Sequence, residues 1–178
     1  MTEVTQDHEQ RETLTVDYNI PGHEARGTAS ALFTRTRKLL IEREGGRCWL
    51  SGLTEAELGP LEAHHFPIER CFAEGIDWPR FSNDCKFGLW GPYAAAFGWD
   101  AFFEGATRDD GGRLVPVDPY LFVDDMTVNG RLLGKQYHTG KDEGVHMLPE
   151  PIWLAQKYMV EGYKFSAVEV IHHAQEGK

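Results

Sequence analysis

At 178 residues, with 41% hydrophobic and 12% aromatic content, the chain is long enough to bury a sizeable core without disulfides, and one domain is expected. A formal charge of −10 excludes a general nucleic-acid coat, in which Lys and Arg dominate, although a local basic face can still bind phosphate. No apolar run reaches bilayer length, the N-terminus has no signal-peptide pattern, and the three cysteines (Cys48, Cys71, Cys85) lack C-x-x-C spacing. A cytoplasmic protein with reduced thiols and no membrane partner is the expectation.

Residues 1–20 are polar and acid-rich and read as a flexible leader, ahead of a single domain over 21–178. After Pro21-Gly22, the spacing of Ala31, Leu32, Leu39, Leu40 and Ile41 predicts a helix from about His23 to Glu44, stopped by Gly45-Gly46. The helix carries Arg35, Arg37, Lys38 and Arg43, either a solvated face or a phosphate-contacting one. Leu61 to Phe66 reads as a strand, on which His64 and His65 point to opposite faces.

The middle of the chain is rich in Trp, Phe, Gly and Asp. Irregular aromatic-anchored structure is expected over residues 76–81 and 87–92, then a short helix from Tyr93 to Phe103 and a hairpin tip at Asp109-Asp110-Gly111-Gly112. Trp78, Trp90, Phe97, Trp99, Phe102 and Phe103 are read as core in preference to base-stacking platforms. Tyr120 to Val123 is a strand candidate, Asn129-Gly130 a turn signal, and Leu132-Leu133 the start of a further element. An amphipathic helix from Ile152 to Val160 and a final segment from Phe165 to Ala174 complete the reading.

Four histidines carry the chemistry: His64, His65, His138 and His146. Imidazole is a good ligand for a borderline divalent ion and, near neutral pH, a good proton acceptor. Adjacent strand histidines facing opposite ways can therefore supply one ligand and one base.

Cys48-Trp49-Leu50-Ser51-Gly52, then Leu61-Glu62-Ala63-His64-His65-Phe66-Pro67, resembles the first half of an HNH endonuclease. Asp124 to Asn129 leading to His138 resembles the second half, and His138 to Gln156 is similar to the tail of a phage and prophage branch. The resemblance implies an α+β fold with a ββα-metal (His-Me finger) core over 47–67 and 120–156. It also implies an N-terminal helix, an insertion over 68–118 inside the finger, and C-terminal helices. By the same resemblance His64 is a metal ligand, His65 the general base, Asn129 the residue that braces it, and His138 the ligand on the helix. The third ligand is read as His146, the stronger ligand type, with Asp142 the alternative one helical turn after His138. The family's two C-x-x-C pairs read Cys48…Ser51 and Gly134…Tyr137 here, so no structural zinc is expected.

The implied function is a metal-dependent endonuclease acting on nucleic acid, DNA in preference to RNA, with one divalent ion (Mg, Mn, Ni or Zn). Arg35, Lys38 and Arg131 are the expected phosphate contacts. The alternative is a catalytically inactive protein on an HNH scaffold that engages a protein partner.

Overall fold

The computed structural model describes residues 29–147. The leader, the expected start of the first helix and the two C-terminal segments lie outside the described residues. Among the described residues, no helix is long and apolar enough to cross a membrane.

Helix α1 (Ala31–Arg43) starts at Ser30, whose hydroxyl accepts the Phe33 N–H at 3.0 Å and so satisfies one of the donors a helix leaves unpaired. Gly45 and Gly46 both adopt positive φ (61° and 64°), and the Gly46 N–H returns to the Ile41 carbonyl, ending the helix where the sequence places its stop. A one-turn helix α2 (Glu55–Leu58) follows, its first turn held by Glu57 accepting from the Thr54 N–H at 2.8 Å.

Strand β1 (Leu61–His65) pairs antiparallel with β4 (Gly130–Gly134), setting His64 opposite Arg131 and His65 opposite Gly130. Alternation gives the ribbon two faces. Leu61, Ala63 and His65 turn toward α1, where the Phe33 ring lies 5.5 Å from that of His65. Glu62 and His64 turn toward the one-turn helix α7 (Lys135–Thr139), which carries His138. Leu40, Cys48, Leu50, Leu61, Met126, Leu132 and Leu133 form the core around the ribbon. Cys48 and Tyr137, from the two positions where a zinc-binding pair is absent, both pack into this cluster. Arg43 fastens α1 to the approach to β4, donating to the carbonyls of Thr127 (2.6 Å) and Gly130 (2.7 Å). Such charge-assisted bonds contribute about 1.5–3 kcal/mol each.

Between the paired strands runs the long middle section. It contains α3 (Trp78–Lys86), the single turns α4 (Pro92–Ala95) and α5 (Trp99–Phe102), a small hairpin of β2 (Thr107–Arg108) and β3 (Leu114–Val115), and α6 (Tyr120–Val123). It has its own aromatic core around Trp78, Phe81, Trp99, Phe102 and Phe122. The indole N–H groups of Trp78 and Trp99 donate to the carbonyls of Ala73 and Ala94, so both rings are buried with their polar atom satisfied. Trp90, Phe97 and Phe103 pack against this core partly buried, as the core reading requires.

Two expectations are corrected and one is refined. Residues 78–81, expected to be irregular, open a helix that runs to Lys86. Asp77 caps α3 by accepting the Arg80 N–H, Pro79 sits harmlessly in the first turn, and Trp78, Phe81, Ser82 and Cys85 bury one face. Tyr120 to Val123 is a helical turn, not a strand. Asp118 accepts the Tyr120 N–H at 3.0 Å, and a four-residue apolar run fits either state by pattern alone. The expected helix from Tyr93 to Phe103 is two turns separated at Gly98. The mixed architecture, with two small antiparallel sheets, is of the α+β class.

Candidate metal centre

The centre grows from the face of β1 that carries Glu62 and His64. His64 is 5% exposed at the middle of the ribbon. Helix α7 follows β4 without a connecting loop and sets His138 against it, ring centroids 5.1 Å apart. The helix ends after one turn because the chain turns extended at Gly140, where a Cβ would run into the Gln136 carbonyl. The chain then folds back. The Gly144 N–H donates to the Gly140 carbonyl, and the Val145 N–H to the Tyr137 carbonyl at 2.9 Å. A Cβ on Gly144 would meet that same Gly140 carbonyl, so the turn needs glycine. The result brings His146 within 5.2 Å of the His64 ring and 5.1 Å of the His138 ring.

His64, His138 and His146 each offer a ring nitrogen, and these atoms all lie within 4.8 Å of one another. Asp142, the alternative third ligand, is exposed and stands outside this cluster. It would have needed α7 to continue a second turn, and Gly140 stops it.

The donor set suits a borderline divalent ion. Burial, reinforced by the charges of His138, His146 and His65, depresses His64 to about 3, so it is a neutral imidazole with a free lone pair at physiological pH. Nδ1 of His138 lies 2.7 Å from the Glu62 carboxylate, which leaves Nε2 as the nitrogen for a metal. A carboxylate behind a ligating imidazole fixes its tautomer and raises its basicity. Glu62→Gln is expected to weaken Zn²⁺ binding by about tenfold in a chelator-competition titration, with the melting temperature of the metal-free protein little changed.

On the opposite face, His65 is 15% exposed at its side chain. Its buried Nε2 has Asp124 Oδ1 as a neighbour at 3.6 Å, just beyond hydrogen-bond length, and no closer partner. Asp124 is 1% exposed and gripped by Arg70, whose Nε donates to Oδ1 at 2.9 Å. Burial alone would raise the Asp124 carboxyl, but polar contacts from His65, Arg70 and Ser30 outweigh it and hold the group at about 2. The order Arg70–Asp124–His65 therefore places a fixed negative charge behind the imidazole.

The side chain of Asn129 is hydrogen-bonded elsewhere than to His65. Its Nδ2 donates to the carbonyls of Ile68 (2.8 Å) and Val123 (2.9 Å), and its Oδ1 accepts the Ile68 N–H at 3.0 Å. Its own carbonyl accepts the Phe66 N–H at 3.1 Å. It is thus a buried clamp that fixes the chain leaving β1 and, through Val123, the end of α6 beside Asp124. Asn129→Ala leaves three main-chain groups without partners. It is expected to destabilise the protein by about 2–4 kcal/mol, read as a lower urea midpoint at unchanged slope.

Both faces open onto one cleft of about 240 Å³. His64, His65 and Glu69 line it with Phe66, Pro67, Trp90 and Val145. Of the expected phosphate contacts, Arg35 and Lys38 are exposed on α1. The Arg131 guanidinium is stacked over the rings of Phe66 (4.8 Å) and Trp49 (5.2 Å). Sequence reasoning gave no role to Glu62, Glu69, Arg70 or Asp124. Glu62 was accessible, since it lies two residues before His64 and must share its face. The other three are brought in by chain segments with no local signature.

No protein-family model, curated protein or solved structure matches the chain.

Proposed function

We propose that the chain is a metal-dependent endonuclease built on a ββα-metal core of the HNH type, formed by β1, β4 and α7. The observation that carries this reading is the convergence of His64, His138 and His146, with His65 lining the cleft that His64 also lines. A divalent ion on these three imidazoles would supply positive charge for the phosphate and for the departing oxygen. His65 takes the proton of the attacking water. Asp124, kept ionised by Arg70, orients the ring and stabilises its protonated form, as a buried carboxylate does behind any histidine base. The cleft is narrow and one wall is aromatic (Phe66 and Trp90), which suits a phosphodiester whose neighbouring base can rest on a ring. DNA is the preferred substrate of this reading.

The test is incubation of the full chain with supercoiled plasmid and, separately, with single-stranded RNA, in the presence of Mg²⁺, Mn²⁺, Ni²⁺ or Zn²⁺. Cleavage of DNA with at least one metal, abolished by EDTA, is expected. Absence of cleavage with all four metals would remove the enzymatic reading.

A second reading, an inactive scaffold that binds a protein partner, is favoured by one observation. Phe87 and Leu89, just after α3, are 90% and 66% exposed, and adjacent apolar side chains so exposed suit a contact surface. Phe87→Ser with Leu89→Ser would leave plasmid cleavage intact under the first reading.

A further inference from the structure

The chain between Pro67 and Arg70 separates two functions. Asn129 holds Ile68 by both its N–H and its carbonyl, so the two residues that follow are placed by the same clamp. Arg70 runs to Asp124 on the His65 side. Glu69 goes the other way, and its Oε1 stands 3.4 Å from Nε2 of His64. The carboxylate also lies within electrostatic range of His65, His146 and His138. It lines the cleft, and at 35% side-chain exposure it has room to turn.

Three imidazoles leave one position of a four-coordinate ion unfilled. Two ligand atoms on a tetrahedral ion with bonds of roughly 2.1 Å stand about 3.4 Å apart, which is the spacing between Glu69 and His64. Glu69 stands beside the three-histidine cluster, not at its centre, so closing the set takes a side-chain rotation. Among the described residues its ion-pair contact is with His64 itself, and the backbone N–H of Arg70 also donates to the carboxylate, a bond that the rotation exchanges for the metal.

We propose that Glu69 is a displaceable fourth ligand of the centre formed by His64, His138 and His146. The proposal rests on the metal-centre reading above. With no substrate bound, the carboxylate closes the centre. An incoming phosphate takes its place, and Glu69 returns when the product leaves. The centre is then closed at rest, like a structural site, and open only when a phosphate is present.

The experiment uses Co²⁺ as the metal and inorganic phosphate as the competing ligand, on the full chain. Glu69→Gln keeps the shape of the side chain and removes its charge. Because water takes the place of so displaceable a ligand, it is expected to weaken Co²⁺ binding by only about tenfold, less than loss of a histidine, and to let phosphate perturb the visible Co²⁺ bands at a lower concentration than in the wild type. Asp142→Asn, on the exposed loop, is expected to change neither. Wild-type Co²⁺ affinity in Glu69→Gln would overturn the proposal. A loss of affinity with an unchanged phosphate response would overturn displacement. If His138→Ala also left Co²⁺ affinity unchanged, the three-histidine centre itself would be refuted, a failure distinct from that of Glu69 alone.

Discussion

Replacing His65 by alanine is expected to slow metal-dependent phosphodiester cleavage by about a thousandfold, the middle of the range for loss of a positioned general base. Metal affinity is expected to stay at its wild-type value. The reason is the alternation of β1: His65 points to α1 and Asp124, and contributes no atom to the three-histidine cluster. The substitution leaves Asp124 paired with Arg70, so no buried charge is stranded, and a cooperative melt close to the wild type is expected. Single-turnover cleavage with saturating metal, beside a metal titration of the same variant, checks both halves. Equal losses in rate and affinity would place His65 in the metal-binding set and contradict its separate role.

His138→Ala is expected to do the reverse. Loss of an outer partner of a metal ligand weakens binding by about 10–100-fold, so loss of a ligand itself should cost more than about 100-fold. His138 is the cleanest ligand to remove. It is on α7 at 16% side-chain exposure, outside the hydrophobic cluster around the ribbon. His64 is 5% exposed under the other two rings, so alanine there disturbs packing as well. His146→Ala is expected to follow His138→Ala, while Asp142→Asn keeps wild-type affinity. Chelator-competition titrations of the four variants test this ordering, and an effect of Asp142 equal to that of His146 would contradict the folded-back loop.

The features legible in the sequence were those with a local cause. The end of α1 follows from two glycines that take positive φ, and the opposite orientation of His64 and His65 follows from strand period alone. The third member of the cluster was legible as a residue type, though not as a path. His146 over Asp142 rested on ligand chemistry, and the structure adds the reason, a one-turn helix stopped at Gly140 and a return at Gly144. What escaped was nonlocal. Asp124 and Arg70 are 54 residues apart, and only the packing of α6 against the segment after β1 joins them. Asn129 was expected to brace His65, and it braces Ile68 and Val123 instead, which positions His65 at one remove. Residues 78–81 and 120–123 were misread because a short aromatic stretch carries no helical period by itself and four apolar residues in a row fit a strand as well as a helical turn.

The account stands or falls on where a metal ion binds. Crystals of the full chain soaked with Zn²⁺ or Mn²⁺, measured at the metal's absorption edge, would locate the ion by anomalous scattering. A single peak bounded by His64, His138 and His146, with His65 outside the coordination sphere, is the predicted result. A peak held by other side chains, or none between these three imidazoles at saturating metal, would contradict it.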